Sequence, residues 1–348
     1  MNDAAPARVS AAPPAAWRRI DLFAIAVRFQ SVIGLIVVAI GGIIFSPRRH
    51  AHILFLAPDN MANIVRAVSE TGIIAVGMTF VIITAGIDLS VGALLSLSSV
   101  LTATIMTTAG WGLIPTILFV VACGAAFGAV QGLISTRFRL EPFIVTLAGL
   151  QVARGLALVI SGNQYINISY GEGPGLAPPV FAILGDRLFN NIVPVATLVF
   201  VVVAAIATFV LNFTRFGRYV FAVGGNERAA RLSGVPVTAV KISVYAITGL
   251  VSAIAGIVHA GQFNFGSAND GTGYELTAIA AVVIGGTSLF GGSGTIFGTV
   301  IGSILIGVLL NGLVLMNVSS YIQQIVIGII IVLAVAFDTF AKSRRRRI

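Results

Sequence analysis

The stretch Thr84–Gly92, "TAGIDLSVG", places an aspartate and two glycines between two long apolar runs. Upstream lies "IIAVGMTFVII" (73–83), and downstream lies "ALLSLSSVLTATIMTT" (93–108). Both runs suit a hydrocarbon environment, in which a charged side chain is costly. The stretch therefore predicts a short break between two membrane-spanning helices, with a polar group placed there for a reason.

The composition of the whole chain agrees with this interpretation. Of the 348 residues, 57% are hydrophobic and only 9% are charged, and the mean hydropathy is +1.02. Soluble domains carry about 25% charged residues, so this composition excludes a soluble core. The apolar segments recur at about 20 residues each, the length that crosses a hydrocarbon layer. We predict an all-α polytopic membrane protein.

Apolar runs and the residues that break them predict about ten transmembrane helices. Two interrupted segments are expected, near 84–92 and near 284–294. Residues 1–28 are predicted to be a disordered tail, 29–341 the transmembrane domain, and 342–348 a basic tail. The predicted spans are 29–46, 64–84, 89–108, 112–135, 143–161, 190–212, 238–260, 275–291, 293–314 and 320–340.

The positive charges orient this arrangement. Sixteen of the 21 Lys and Arg residues fall in the two tails and in the segments on one predicted side. The positive-inside rule then puts both termini in the cytoplasm. Arg48 and Arg49 of "PRRHAH" (47–52) and Arg187 fall on the other side, and Arg66 and Arg154 lie within spans. We attribute the net charge of +9 to topology and to contact with membrane lipid, and expect no nucleic-acid partner.

A second break is predicted in "GTGYELTAIAAVVIGGTSLFGGSGTIFG" (271–298), which has too many glycines for one straight helix. At an offset of 200 residues, "VIITAGIDLSVG" (81–92) aligns with "AVVIGGTSLFGG" (281–292), matching Gly86 with Gly286. Interrupted helices at corresponding places in two halves of a chain are typical of a transport pathway.

Asp88 has two compatible interpretations. It can cap the start of the next helix, accepting hydrogen bonds from the free amides there, with Ser90 sharing that role. It can also contact a solute, and both residues are therefore candidates for the pathway. If the chain were an ion-coupled secondary transporter, Asp88 would be the site that binds the coupling ion or proton.

The segment "GNERAARLSGV" (225–235) predicts a short polar helix on the positive side. Asn226 suits the N-cap, Glu227 the first turn and Arg231 the last turn, and Gly234 ends the helix. The alternatives are an ordinary capped loop and a lever that docks to a cytoplasmic partner.

Two polar segments are predicted on the opposite side, "SGNQYINISYGEGPG" (161–175) and "GQFNFGSANDGTGYE" (261–275). Their amides, hydroxyls and rings suit a polyol, although such residues also occur in ordinary outer loops. The pathway candidates from these segments are Asn163, Gln164, Asn264, Asn269, Asp270, Tyr274 and Glu275.

The sequence carries no enzyme signature. It lacks the G-x-x-x-x-G-K-[ST] loop that would bind a nucleotide. The histidines at 50, 52 and 259 form no convincing metal set, and no series of intramembrane carboxylates predicts a proton relay. We therefore expect no catalytic residue, no metal site and no cofactor bound by this chain.

Four blocks carry a family resemblance. They are "VGMTFVIITAGIDLSVGALLSLSSV", "EPFIVTLAGLQVARGLALVISG", "TRFGRYVFAVGGNERAARLSGVPVTAVKISVYAITGLVSAIAGI" and "GTGYELTAIAAVVIGGTSLFGGSGTIFGTVIG". In this order they resemble the permease subunits of bacterial ABC sugar importers, of the ribose-type and branched-chain permease family. The resemblance extends from about residue 60 to 340.

The resemblance implies ATP-driven, binding-protein-dependent import of a pentose, hexose or polyol by alternating access. It implies a cytoplasmic ATP-binding subunit that uses ATP and Mg, a periplasmic sugar-binding protein, and a second permease subunit in a homodimer in the bacterial inner membrane. The alternative is an ion-coupled secondary transporter that uses Asp88. By the same resemblance, coupling to the ATPase is assigned to Gly225, Asn226, Glu227, Arg228, Arg231, Leu232 and Gly234.

Overall fold

Twelve α-helices form within residues 30–49, 52–189 and 191–345, which are the residues described by the computed structural model. Ten of these helices are apolar and two are short and polar or amphipathic. The helices are α1 (Gln30–Phe45), α2 (Pro58–Ile83), α3 (Val91–Thr107), α4 (Leu113–Phe138), α5 (Pro142–Ser161), α6 (Val195–Phe213), α7 (Arg215–Gly225), α8 (Glu227–Leu232), α9 (Val237–Phe263), α10 (Tyr274–Ile284), α11 (Ile296–Leu315) and α12 (Ser320–Arg345).

Among the described residues, six two-residue strands and two 3₁₀ segments connect the helices. The 3₁₀ segments are Leu54–Leu56 and Pro179–Gly185. The strands form three antiparallel pairs: β1 (Arg48–Arg49) with β2 (His52–Ile53), β3 (Ile166–Asn167) with β6 (Phe265–Gly266), and β4 (Arg187–Leu188) with β5 (Val193–Pro194).

Ten apolar helices overlap the ten predicted spans, and the prediction of an all-α polytopic membrane protein is confirmed. Six of them, α2, α4, α5, α6, α9 and α11, are long and apolar enough to cross a membrane. The apolar parts of α1, α3, α10 and α12 are shorter. We call the end of the bundle that carries α8 the inner end, following the charge bias, and the opposite end the outer end.

Several predicted boundaries were wrong. Helix α2 begins at Pro58 instead of residue 64, because proline fits the first helical turn and polar residues continue the helix. Helix α10 ends at Ile284 instead of residue 291, where two glycines follow. Helix α7 was missed altogether. It begins where Thr214 Oγ1 accepts the amide of Gly217 at 3.2 Å, an N-cap that sequence reading passed over.

The predicted tails lie partly outside the described residues. Residues 1–28, for which a disordered tail is predicted, lie entirely outside them. Within the predicted basic tail, residues 342–348, α12 continues as a helix to Arg345, and residues 346–348 lie outside the described residues.

Helix α9 forms the centre of the bundle, packed against α2, α3 and α4. Glycines let these backbones approach closely. A Cβ on Gly128 of α4 would lie 2.0 Å from the carbonyl oxygen of Tyr245 in α9, so no larger residue fits without movement. Such small-residue contacts drive helix association where lipid tails are as apolar as the side chains. Helices α2 and α9 are mostly buried, whereas only 22% of the apolar window of α4 is buried.

Helices α2 and α10 end in the same way. Ala85 adopts a left-handed φ of +59° and Gly286 one of +91°. In each turn the next amide reaches back to the helix: Gly86 N–H to the Val81 carbonyl at 3.0 Å, and Thr287 N–H to that of Val282 at 3.2 Å. Both are Schellman caps. The turns are thus equivalent at an offset of 201 residues, so the predicted pairing of Gly86 with Gly286 was one residue out of register.

The two breaks touch each other at the inner end. The amide of Gly292 donates to the carbonyl oxygen of Ile83 at 2.9 Å. Gly224 at the end of α7 packs onto the same carbonyl, which would lie 1.7 Å from a Cβ at that position. Three chain segments therefore meet at one carbonyl, and glycine is required for the approach.

This contact generates a stability prediction. Gly224→Ala is expected to destabilise the protein by about 1–3 kcal/mol, the usual cost of overpacking, because the new methyl group meets backbone that cannot rotate away. Gly225→Ala serves as the control, since a Cβ on Gly225 has nothing within 4 Å. The apparent Tm of detergent-purified protein should fall by several degrees in Gly224→Ala and not in Gly225→Ala. Equal Tm values for the two variants would contradict this packing.

Candidate functional site

Asp88 is buried in the inner break, with 2% of its surface exposed. Its Oδ1 accepts the backbone amide of Ser90 at 2.9 Å and the hydroxyl of Ser90 at 2.6 Å. Gln131 of α4 closes the network by donating from Nε2 to Ser90 Oγ at 3.0 Å. A buried polar cluster with its hydrogen bonds made in this way rigidifies its surroundings.

The predicted helix cap is corrected by this geometry. Helix α3 begins at Val91, so Ser90 is its N-cap residue, and no side chain bonds the first free amides of the helix. Asp88 instead accepts the amide of the capping residue itself and so fixes the irregular turn that leads into the helix. The reason is the position of Asp88, which lies two residues before the N-cap, whereas a capping side chain bonds the first turn from the N-cap position itself.

The two outer polar segments meet, although 100 residues separate them in sequence. Strand β3 pairs with β6, with Asn167 opposite Phe265. Asn269 Nδ2 donates to Asn163 Oδ1 at 3.2 Å, and Tyr170 Oη donates to Asn264 Oδ1 at 2.5 Å. Gln164 is exposed on the same side. These amides and hydroxyls therefore form one polar surface at the outer end of the bundle.

Below this surface lies a buried ionic cluster that the sequence analysis missed. His259 of α9 has 5% of its surface exposed. Its Nδ1 lies 3.0 Å from Glu70 Oε2 of α2, and its Nε2 lies 2.8 Å from Asp270 Oδ2. Tyr274 Oη, at the start of α10, is 3.5 Å from the same Glu70 oxygen.

The cluster has the chemistry of a charge-assisted hydrogen-bond bridge. The two ring nitrogens of an imidazole point away from each other, so the two carboxylates lie on opposite sides of the ring and do not converge on one point. Among the described residues, no three His, Cys, Asp or Glu side chains are grouped so as to hold a metal ion.

Glu275 lies where the start of α10 approaches that of α3. A Cβ on Gly92 would lie 2.2 Å from the carbonyl oxygen of Gly271 and 2.6 Å from Glu275 Oε2. Arg154 of α5 approaches the same region and donates to the carbonyl oxygens of Ala268 and Asp270. The N-termini of the two helices therefore lie side by side, and the carboxylate of Glu275 in the first turn of α10 suits the positive ends of the helix dipoles there.

The inner helix α8 is shorter than the predicted 225–235 segment, because Gly225 belongs to α7 and the helix itself covers Glu227–Leu232. Its N-cap is as predicted: Asn226 Oδ1 accepts the amide of Ala229 at 3.0 Å. Gly234 has a φ of +81° and makes the turn after the helix. Leu232 is 90% exposed, an unusual position for a large apolar side chain. Arg228 is also exposed.

Glu227 anchors this helix to the bundle. Its carboxylate accepts hydrogen bonds from Lys241 Nζ of α9 at 2.7 Å and from Arg231 at 3.1 Å. The hydrogen bond from Lys241, followed by the charge of Lys241 and the bond from Arg231, lowers the pKa of Glu227 below its ordinary value despite partial burial. The carboxylate is therefore ionised at physiological pH.

A cavity of about 990 Å³ opens at the inner end between α8 and the inner break. Thr84, Ala85 and Gly86 line one side of it, and Asn226, Glu227 and Arg231 line another. The inner break and the short polar helix, identified separately in the sequence, therefore share one cavity.

The residues missed by the sequence analysis are Glu70, His259 and Arg154. Glu70 and His259 are 189 positions apart, so no local spacing joins them. The available signal was the presence of each charged residue inside an apolar run, which marks a functional or paired group in a membrane protein.

The Asp88 network predicts a difference between two substitutions. Asp88→Asn keeps an oxygen at the position that accepts both bonds from Ser90, so the apparent Tm should change little. Asp88→Ala leaves the buried Ser90 amide without its partner, at a cost of about 1–3 kcal/mol. Thermal unfolding of purified protein checks this order, and an Asn variant as unstable as the Ala variant would contradict it.

Comparison with known proteins gives a consistent result. Residues 60–335 match the family model described as "Branched-chain amino acid transport system / permease component". The chain is 43% identical over 285 residues to the ribose import permease protein RbsC of Escherichia coli (strain K12), which covers 82% of this chain and 87% of the relative. No solved structure matches the chain.

Two further relatives carry different sugars in their names. The L-arabinose ABC transporter permease protein AraH of Azospirillum brasilense is 37% identical, covering 84% of this chain and 83% of the relative. The xylose transport system permease protein XylH of Escherichia coli (strain K12) is 35% identical, covering 83% and 87%. Together with the long apolar helices, these matches show that the chain is a multi-pass membrane protein that belongs to the branched-chain amino acid transport system permease component family.

Proposed function

We propose that this chain is the permease subunit of an ATP-driven, binding-protein-dependent importer that carries a sugar across the bacterial inner membrane by alternating access. The main support is the family match over residues 60–335, together with relatives whose names specify ribose, arabinose and xylose. These relatives do not support the ion-coupled alternative centred on Asp88. A pentose, a hexose or a polyol remains the substrate class of the proposal.

The chemistry of the outer surface suits a neutral polyhydroxylated solute. Amide groups of Asn163, Asn264 and Asn269 and the hydroxyl of Tyr170 both donate and accept hydrogen bonds. A solute without charge also avoids the cost of desolvating an unpaired ion. We assign the solute pathway to Asp88, Ser90, Asn163, Gln164, Asn264, Asn269, Asp270, Tyr274 and Glu275, with Asp88 and Ser90 as buried wall residues.

We assign coupling to α8 and its flanks, residues 225–234. An exposed leucine at the end of a capped helix is suited to a hydrophobic socket in a partner protein. The proposed partner is a cytoplasmic ATP-binding subunit, which would bind ATP and Mg, so that this chain performs no hydrolysis itself. A periplasmic sugar-binding protein and a second copy of the permease complete the proposed assembly.

Glu227→Lys is expected to uncouple ATP hydrolysis from transport, because it replaces the acceptor of Lys241 and Arg231 with a third positive charge. Uptake of radiolabelled ribose, arabinose or xylose should fall by ~10-fold, within the range typical of coupling free energies. The measurement uses proteoliposomes that contain the permease together with the proposed ATP-binding subunit and sugar-binding protein. Glu172→Lys, the same charge change at an exposed residue of the outer end, serves as the control.

The same preparation tests the proposed function itself. Uptake should require ATP and the ATP-binding subunit, and should persist in Asp88→Asn. Uptake by the permease alone, driven by an ion gradient and abolished in Asp88→Asn, would overturn the proposal in favour of the ion-coupled transporter.

A further inference from the structure

Helix α9 carries ionic contacts at both of its ends. At the inner end, Lys241 binds Glu227 of the coupling helix. At the outer end, His259 binds Glu70 and Asp270. Eighteen residues of helix separate Lys241 from His259, which is about 27 Å at 1.5 Å per residue. One continuous helix therefore joins the proposed coupling site to a buried cluster near the outer surface.

The outer cluster is a bridge between α2, α9 and the segment 264–273. With both carboxylates ionised, each can only accept hydrogen bonds, so a ring that is bonded to both through its two nitrogens donates twice as an imidazolium. Breaking a buried ion pair by removing one partner is strongly destabilising, because the other charge is left without compensation. His259 therefore fixes the position of Asp270.

The segment 264–273 is largely irregular and yet lies deep in the protein. Asn264, Gly271 and Gly273 adopt positive φ angles of +58°, +66° and +84°. Gly266, Ser267 and Ala268 are nevertheless buried. Backbone of this kind at membrane depth survives only where protein covers it or where it lines a wet cavity.

Side chains, and not a helix or a sheet, hold most of this segment. Apart from the short β6 pairing, Ser96 Oγ donates to the Asp270 carbonyl oxygen, and Arg154 donates to the carbonyl oxygens of Ala268 and Asp270. His259 supplies the contact to the Asp270 side chain. Phe265 and Ala268 add apolar contacts to the helices, whereas the Asp270 end of the segment is held by polar contacts, which can exchange without a change of helix packing.

The cluster is also incompletely satisfied. Glu70 Oε1 is buried and has no hydrogen-bond partner among the described residues. Tyr274, on the helix that follows the segment, reaches only the other oxygen of the same carboxylate, at 3.5 Å. A buried oxygen without a hydrogen-bond donor is unfavourable. A second arrangement of the cluster, in which Glu70 Oε1 acquires a donor, is therefore available.

We propose that the Glu70–His259–Asp270 cluster is an outer latch, which holds segment 264–273 closed against α2 and α9 and releases it when the outer end of the pathway opens. His259 is a positioning residue that acts through Asp270. The proposal rests on the proposed function, since only a transport cycle requires the outer end to open and close. Lys241 and His259 both lie on α9, and Lys241 binds Glu227 of α8. A movement of α8 would therefore be transmitted to the latch through the rigid helix α9.

The direct test measures whether the segment opens. Ser267 is buried, with 3% of its surface exposed, and Ser267→Cys places a thiol there. The only native cysteine is removed by Cys123→Ala. In right-side-out vesicles, a membrane-impermeant maleimide should label the introduced thiol slowly while the latch is intact. His259→Gln should raise the labelling rate at least ~10-fold, as expected when a buried ion pair is broken.

Two further variants distinguish a latch from general damage to the fold, one as a control and one as an independent test. His52→Gln is the same replacement at an exposed histidine of the outer end, and it should leave labelling unchanged. Asp270→Asn preserves the shape of the side chain and an acceptor for the ring, while it removes one charge, and it should raise labelling as well. If His259→Gln does not fold, as judged by size-exclusion chromatography, the Asp270→Asn variant decides the question.

Transport measurements give a second readout, the sugar imported per ATP hydrolysed, which should not change if His259 only stabilises the fold. In the reconstituted importer, His259→Gln should hydrolyse ATP at a near-normal rate while importing sugar ~10-fold less per ATP. Unchanged labelling in a folded His259→Gln or Asp270→Asn variant would overturn the latch. Labelling requires no transport, so an importer that takes up no sugar would refute the proposed function and leave the latch to be decided by the labelling rates.

Discussion

The hydrogen bond from the Gly292 amide to the Ile83 carbonyl joins the two chain breaks on which the rest of the structure depends. A membrane interior offers no water to satisfy a free amide or carbonyl, so irregular backbone must be bonded to protein. Here the amide of Gly292 in the second break and the carbonyl of Ile83 at the first break satisfy each other's need for a hydrogen bond. Gly224 of α7 closes over the same carbonyl, and only glycine permits that approach. The inner breaks, the helix before α8 and the adjacent cavity are thereby fixed relative to one another.

The same constraint explains where the charged residues lie. A charge within the bundle is tolerated when it is paired or fully hydrogen-bonded. Asp88 is hydrogen-bonded to Ser90 through one carboxylate oxygen, His259 is paired with two carboxylates, and Arg154 binds backbone carbonyls. In each case the charged group binds irregular backbone or a residue next to it. Charge in this protein serves to hold segments that have no regular hydrogen bonding of their own.

This arrangement gives the permease two kinds of element. Helices α2, α3, α4 and α9 pack through glycines and buried apolar side chains and form a rigid centre. Segments 84–90 and 264–273 have little regular backbone hydrogen bonding and are held by side-chain hydrogen bonds as well as by packing. A transporter needs both, since alternating access requires a rigid body and parts that change position. The helix that connects the two ends of the molecule, α9, bears one ionic contact for each of them.

The sequence by itself determined the class of the protein, the approximate positions of its apolar helices, both breaks and the N-cap at Asn226. These features depend on hydrophobicity over about 20 residues and on local turn chemistry, which are properties of neighbouring residues. Only the tertiary structure decided that Asn163 meets Asn269, that Glu70 and Asp270 flank His259, and that the Schellman turns correspond at an offset of 201 residues. Such contacts form between groups far apart in the chain, and their partners are set by helix packing, for which a single sequence contains no periodic signal. Asp88 illustrates both contributions. Local spacing in the sequence identified a polar group that organises the break, whereas the backbone path into α3 decided which amide this group binds.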